Sequence, residues 1–216
     1  MSDIFTEVDE EIRREQLRKL WDRYGGLAVA AAIVLVLAIG GWRGWQWWET
    51  KKAAEAGSAY DAAAALVEQG KLSEAEAAFG KVASEGTAGY RVLARLRDAA
   101  LLGERDRAAA VAAYDAIAKD ASVDPLLQEL ASLRAALLLV DSAPLAEITQ
   151  RLEPMAAAGK TFRHTARELL AVAAVRASDN AAAKRWIDTA LSDAETPQGI
   201  RARLDVLATL TEGPKG

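Results

Sequence analysis

Few residues in this chain have the chemistry that catalysis or metal binding requires. The sequence contains no cysteine, which excludes a disulfide, a thiolate zinc site and a cysteine nucleophile. His164 is its single histidine, and the motifs HExxH, DxDxDG, GxSxG and GxxxxGKS/T are all absent. We therefore expect no catalytic residue, no metal site and no cofactor, and we predict that the protein is not an enzyme.

The composition predicts a helical protein that does not bind nucleic acid. The formal charge is −4 over 216 residues, and no block of lysine or arginine forms the basic surface that nucleic acids require. Alanine, the strongest helix former, supplies 49 of the 216 residues, whereas β-branched and aromatic residues are scarce. The expected fold class is all-α.

One long stretch of the chain is free of charge. Residues 25–42 read GGLAVAAAIVLVLAIGGW, and as a helix they would cover about 27 Å, close to the thickness of a bilayer's hydrocarbon core. Residues suited to the membrane interface flank this stretch on both sides. They are Trp21, Tyr24, Trp42, Arg43, Trp45, Trp47 and Trp48. We predict an uncleaved transmembrane helix over residues 25–48, with a buried core helix and a cleaved signal peptide as the alternatives.

The basic residues around this helix predict its orientation. Five lysines or arginines precede the apolar stretch and three follow it, which favours a cytoplasmic amino terminus. The expected organisation is a cytoplasmic segment (1–24), the transmembrane helix (25–48), a linker (49–57) and a large domain across the membrane (58–216). Gly40 and Gly44 have the spacing that lets two transmembrane helices pack closely, although glycine is common in such helices by chance.

The large domain carries a repeat with offsets of 35, 38 and 35 residues, as in stacked helical hairpins. A small residue in the first helix and another in the second let the two backbones approach, and a large side chain then fixes the pair. The small residues are Ala63, Ala136 and Ala171, with Ala75, Ala110 and Ala183; the large ones are Phe79, Tyr114, Leu152 and Ile187. Asp98 stands at one of the small positions. We predict a solenoid of about four hairpins and a capping helix over about 197–210.

These repeats resemble the tetratricopeptide repeat, although the proline that usually ends each unit is missing and the turn glycine is kept only at Gly70. The whole chain resembles the YfgM-type family of single-pass ancillary subunits of the bacterial Sec translocon. This likeness covers the short start, the apolar stretch and the sequence FRHTARELLAVAAVRASDNAAAKRWIDTAL at 162–191. The resemblance implies an inner-membrane scaffold with a periplasmic domain that contacts translocon subunits and periplasmic chaperones.

The first helices of stacked hairpins line an extended concave face that suits a protein segment. The repeat places seven candidate partner-binding residues there: Tyr60, Arg95, Leu133, Arg134, Leu137, Glu168 and Val172. Each could instead belong to the core or to a solvated surface. We expect protein partners and membrane lipid but no small-molecule substrate. The alternatives are an envelope or cell-division coordinator, a passive spacer, and an enzyme that uses carboxylates of the concave face.

Overall fold

The computed structural model describes residues 3–211, so the outermost residues of the predicted segments 1–24 and 58–216 lie outside it. Over this range the chain forms nine α-helices and a single 3₁₀ turn, Glu153–Met155, and no strand. The all-α prediction is confirmed. The helices are α1 (Asp3–Glu68), α2 (Leu72–Glu85), α3 (Ala88–Leu102), α4 (Arg107–Ala118), α5 (Pro125–Leu139), α6 (Leu145–Leu152), α7 (Arg163–Arg176), α8 (Asn180–Ser192) and α9 (Gln198–Thr211).

The chain divides into two compact units, Met1–Ala54 and Glu55–Gly216. The described residues of the first unit all belong to the amino-terminal part of α1. This part contains a stretch that is long and apolar enough to cross a membrane. Residues 49–57, which we expected as a linker, are helical, because ETKKAAEAG is made almost entirely of strong helix formers and contains no proline.

The second unit is a series of four helical hairpins, as the repeat predicts. The hairpins pair the end of α1 with α2, α3 with α4, α5 with α6, and α7 with α8, and α9 packs on α7 and α8 as the capping helix. The second helix of each hairpin also contacts the first helix of the next one. Each apolar face is therefore covered only when its neighbour is in place.

The predicted small and large residues form the contacts within the hairpins. Ala63, Ala75, Ala110, Ala136, Ala171 and Ala183 are fully buried, as are Phe79 and Leu152, and Tyr114 and Ile187 are nearly so. In the first hairpin Ala63 and Ala75 lie in one cluster with Phe79. An alanine at the crossing point brings the two helix axes close, and the larger side chain fills the remaining space.

The turns after α1 and α7 have the same structure. Gly70 and Ser178 stand 108 residues apart at equivalent repeat positions, and both adopt left-handed φ angles, +74° and +57°. In both turns the amide of Gly70 or Ser178 donates a hydrogen bond to the carbonyl of the residue three positions earlier. The amide of the following residue donates to the carbonyl of the residue five positions before itself. This is the Schellman motif, which favours glycine because a Cβ is strained at positive φ. The turn at Ser178 therefore keeps its geometry without its preferred residue.

Ion pairs cross the junctions between hairpins. Arg151 of α6 holds Asp115 of α4 with two hydrogen bonds of 2.5 and 3.1 Å, and Arg203 of α9 holds Glu168 of α7 in the same bidentate way. Planar guanidinium–carboxylate pairs of this kind fix relative orientation as well as adding energy. They hold the third hairpin against the second and the capping helix against the fourth hairpin.

Asp98 occupies a position that other hairpins fill with alanine. Its carboxyl is half-buried near Glu76 of α2, which is itself paired with Arg105 at 2.8 Å. Burial and the negative charge of Glu76 raise the pKa of Asp98 above its usual range. The ionised carboxylate is therefore a source of instability at this junction.

Replacing Ser178 with glycine is expected to stabilise the protein by about 0.5–1 kcal/mol, because glycine removes the strain of the left-handed conformation. The reciprocal change, Gly70→Ser, should destabilise it by a similar amount. Urea unfolding followed by circular dichroism measures both. A Ser178→Gly variant that is less stable than the wild type would contradict the assigned turn.

Asp98→Asn is expected to raise the free energy of unfolding at neutral pH, since it removes a carboxylate whose ionised form is disfavoured in the folded state. The gain should fade on acidification, because the wild-type carboxyl becomes protonated as the pH falls through its raised pKa. Asp98→Ala should add a pH-independent gain of about 0.5 kcal/mol from helix propensity. Equal effects of Asp98→Asn at neutral pH and near pH 4 would contradict this account.

Candidate protein-interaction surface

Helix α5 is apolar on nearly every side. It begins at Pro125. The carboxylate of Asp124 caps it by accepting a hydrogen bond from the amide nitrogen of Leu126 at 2.8 Å. Its alanines at 131, 135 and 136 are fully buried between neighbouring hairpins. On another side Leu126 and Leu137 remain 45% and 51% exposed. A helix that is apolar all round is normally covered on all sides, so the outer leucines suit contact with another molecule.

These leucines belong to one row along the helix. Leu126, Leu130, Arg134 and Leu137 follow each other at intervals of four, four and three residues, which places them on one face. Leu130 is half-buried, and Arg134 is exposed and makes no hydrogen bond or ion pair with any residue that the structure describes. We call these four residues the α5 stripe. It combines apolar area with one available guanidinium.

The other predicted binding residues lie in contacts within the chain. The Tyr60 ring packs against Phe79, with centroids 5.3 Å apart and an edge-on geometry, and against Tyr90 at 6.1 Å. Arg95 donates to Asp120 at 2.7 Å. Hydrogen bonds from Ser122 and from Arg95 lower the pKa of Asp120 to about 2. These groups therefore stabilise the first two hairpins.

Leu133, Glu168 and Val172 also face inward. Leu133 is 8% exposed and belongs to the largest core cluster of the described residues, and the half-buried Val172 packs against that cluster. Glu168 is 9% exposed and accepts two hydrogen bonds from Arg203. Of the seven predicted residues, Arg134 and Leu137 thus lie together on the exposed stripe. Leu126 was missed, although the run PLLQELASLRAALLL is apolar enough to have indicated it.

The densest charged cluster lies where α7 meets the loop between α8 and α9. Arg163 and Arg167 each donate to Asp193 at 2.8 Å, and Arg163 also pairs with Glu195. Arg167 is 4% exposed, and its Nε donates to the Ala156 carbonyl at 2.8 Å. The two arginines hold the pKa of Asp193 well below its usual range. We call this group the α7 clamp.

His164 lies beside the α7 clamp in the first turn of α7. The Thr196 hydroxyl donates its single hydrogen to the Ala190 carbonyl at 2.6 Å, so it accepts from His164 Nδ1 at 3.0 Å. Burial and the charge of Arg163 lower the pKa of His164. The imidazole is therefore a neutral donor that fixes the loop.

His164, Asp193 and Glu195 form a candidate cation site. One ring nitrogen of His164 and one carboxylate oxygen from each of the two acidic residues lie within 4.8 Å of one another. Arg163 already neutralises both carboxylates, and Arg167 neutralises Asp193 a second time. A cation would be repelled by these two guanidinium groups. The arrangement fits a structural role that secures the capping helix.

The residues predicted for the membrane interface are all exposed on α1. Between the two aromatic groups, eight large apolar side chains are 50–71% exposed: Leu27, Val29, Ile33, Val34, Leu35, Val36, Leu37 and Ile39. Gly40 and Gly44 have open space where a Cβ would lie. Nothing among the described residues covers this part of the helix.

The stacked hairpins, in which small and large contact residues recur along the chain, define an α-solenoid. The chain matches the family described as the tetratricopeptide repeat-like domain over residues 18–209, and it belongs to that family. Domains of this kind are generally protein-interaction modules rather than enzymes. Searches of curated proteins and of solved structures give no match to this chain.

Asp193→Asn is expected to lower the urea midpoint at pH 7, because the buried Arg167 loses the charge that balances it. Asp188→Asn is the matched control, since the Asp188–Lys184 pair on α8 is exposed and contributes at most about 1 kcal/mol.

The wild type should be more stable to urea than Asp193→Asn at neutral pH. Because the pKa of Asp193 is lowered on folding, the advantage should decline as the pH falls below the ordinary aspartate value of 3.8. A loss no larger than that of Asp188→Asn would contradict the assigned role of the α7 clamp.

Proposed function

We propose that the protein is a single-pass membrane protein that holds a protein-binding solenoid at the surface of a bilayer. The exposed apolar side chains of residues 27–39 support a membrane-spanning helix over 25–48. The excess of basic residues before it supports a cytoplasmic segment 1–24 and a domain on the far side of the membrane, over 58–216. Residues 49–57 connect the two.

The observation that carries the binding role is the α5 stripe. Its leucines offer apolar area, and Arg134 offers five N–H donors without a partner among the described residues. A segment with apolar side chains and a nearby carboxylate would satisfy both. Such a contact would bury leucines that water now reaches, and it would give Arg134 a bidentate partner.

The resemblance to the YfgM-type family supports a more specific role. On this proposal the protein is an ancillary subunit of the bacterial Sec translocon, and its periplasmic domain holds chaperones or emerging chains near the exit. The mechanism is tethering, because confinement to the membrane plane raises the effective concentration of the binding surface near membrane partners. An envelope or cell-division coordinator with the same repeats is the second candidate.

Photocrosslinking in cells tests this role directly. A crosslinking amino acid at Leu126 or Leu137 should capture periplasmic chaperones or translocon subunits. The same group at Ala116 of α4 or Ala146 of α6, which are exposed on the second helices of their hairpins, should capture them at least several-fold less. Equal capture at both pairs of sites would exclude the α5 stripe as the binding surface.

The double variant Arg134→Glu/Leu137→Glu should reduce partner recovery at least tenfold in mild detergent while leaving the circular dichroism spectrum unchanged, because both side chains are exposed. Recovery of only cell-division or cell-wall factors with the wild type would contradict the translocon role and favour the second candidate.

A further inference from the structure

Three cations stand among the tryptophans that follow the apolar stretch. Arg43, Lys51 and Lys52 are exposed, and in residues 40–54 Glu49 is the single acidic residue. None of the three forms an ion pair with a residue that the structure describes. With Glu55, which follows directly after residue 54, counted as well, the three cations still exceed the acidic residues by one, so the segment keeps a small excess of positive charge.

Both lysines fold back onto the indoles. The Nζ of Lys52 lies 3.6 Å from the centroid of the Trp48 ring, and the Nζ of Lys51 lies 5.7 Å from that of Trp47. Side chains on a helix lean toward its amino terminus, which here is the direction of the apolar stretch. The ammonium groups are consequently held at the level of the tryptophans along the helix.

The cations and indoles form two adjacent rows on the helix, one with Trp47 and Lys51 and the other with Trp45, Trp48 and Lys52. Trp45, Trp48 and Lys52 follow at intervals of three and four residues and share one face, and the Trp45 and Trp48 rings lie 5.7 Å apart. Gly44 lies one turn before Trp48, and space is open where its Cβ would be. The row thus joins an ammonium, two aromatic rings and a notch on the apolar side.

We propose that residues 43–52 form a binding site for an anionic phospholipid, with its phosphate on Lys51 and Lys52 and an acyl chain beside Gly44. The site rests on the proposed membrane-spanning role of α1. Tryptophan rings settle at the depth of the lipid headgroups, so the two ammonium groups meet phosphates there. The excess of positive charge selects a lipid with net negative charge over a zwitterionic one.

Fluorescence quenching by brominated lipids tests the site in the full chain reconstituted into vesicles. The Trp21→Phe background removes the tryptophan at the other end of the apolar stretch. Brominated phosphatidylglycerol should quench more strongly than brominated phosphatidylcholine at equal mole fraction. The relative binding constant for phosphatidylglycerol should fall by about fivefold for each lysine replaced in Lys51→Gln and Lys52→Gln.

The control variant is Lys71→Gln/Lys119→Gln, which removes two exposed lysines of the second unit and should leave the preference unchanged. Equal quenching by the two lipids in the wild type would overturn the lipid site while leaving the membrane-spanning role intact. Absence of quenching by either lipid would overturn both. Loss of the preference on addition of excess inorganic phosphate would assign the cations to small anions and overturn the lipid assignment.

Discussion

The exposed apolar side chains of α1 set the strongest physical constraint on this protein. Eight large aliphatic residues between positions 27 and 39 remain 50–71% exposed. Full burial of such a side chain is worth about 1.5–3 kcal/mol, so the exposed part of each would gain about 1–2 kcal/mol on leaving water. The combined gain of about 8–16 kcal/mol is comparable with the entire net stability of a typical domain, about 5–15 kcal/mol. Their length along the helix and their uniform distribution around it support the proposed contact with a bilayer.

In the second unit, apolar side chains are removed from water by the stacking of hairpins. Each hairpin presents an apolar face that only the next hairpin covers, so stability comes from contacts between neighbours. Alanine at the crossing points allows the close approach, and the bidentate pairs Arg151–Asp115 and Arg203–Glu168 add orientation. At the last junction the α7 clamp performs this task for the capping helix. On the outer side of α5 this stacking leaves Leu126 and Leu137 exposed, and it also leaves Leu93 of α3 and Leu210 of α9 exposed.

Much of this architecture follows from the sequence because it depends on spacing. Small residues recurring at offsets of 35, 38 and 35 predict both the hairpins and their contact positions, and the fully buried Ala63, Ala136 and Ala171 confirm them. The three offsets together relate Ser178 to Gly70, although the sequence alone does not reveal that the serine adopts the left-handed conformation. Hairpin count and core positions are thus encoded locally.

The candidate site is less predictable, because its exposure depends on the angle at which hairpins pack. A repeat position identifies Leu133, Arg134 and Leu137 as neighbours, but it does not tell which of them the adjacent hairpin covers. Leu133 is buried, whereas Leu137 is half exposed. Arg95 and Glu168 were predicted to meet a partner, and their ion-pair partners Asp120 and Arg203 lie 25 and 35 residues away. Such pairings arise only in three dimensions.

Alkaline carbonate extraction of membranes from cells that express the full chain tests the central claim most directly, because this treatment releases peripheral proteins and retains those that span the bilayer. The account predicts that the chain stays in the membrane pellet and floats with lipid in a density gradient. Recovery of the full chain in the supernatant would contradict it, since the apolar segment would then be covered by something other than a bilayer.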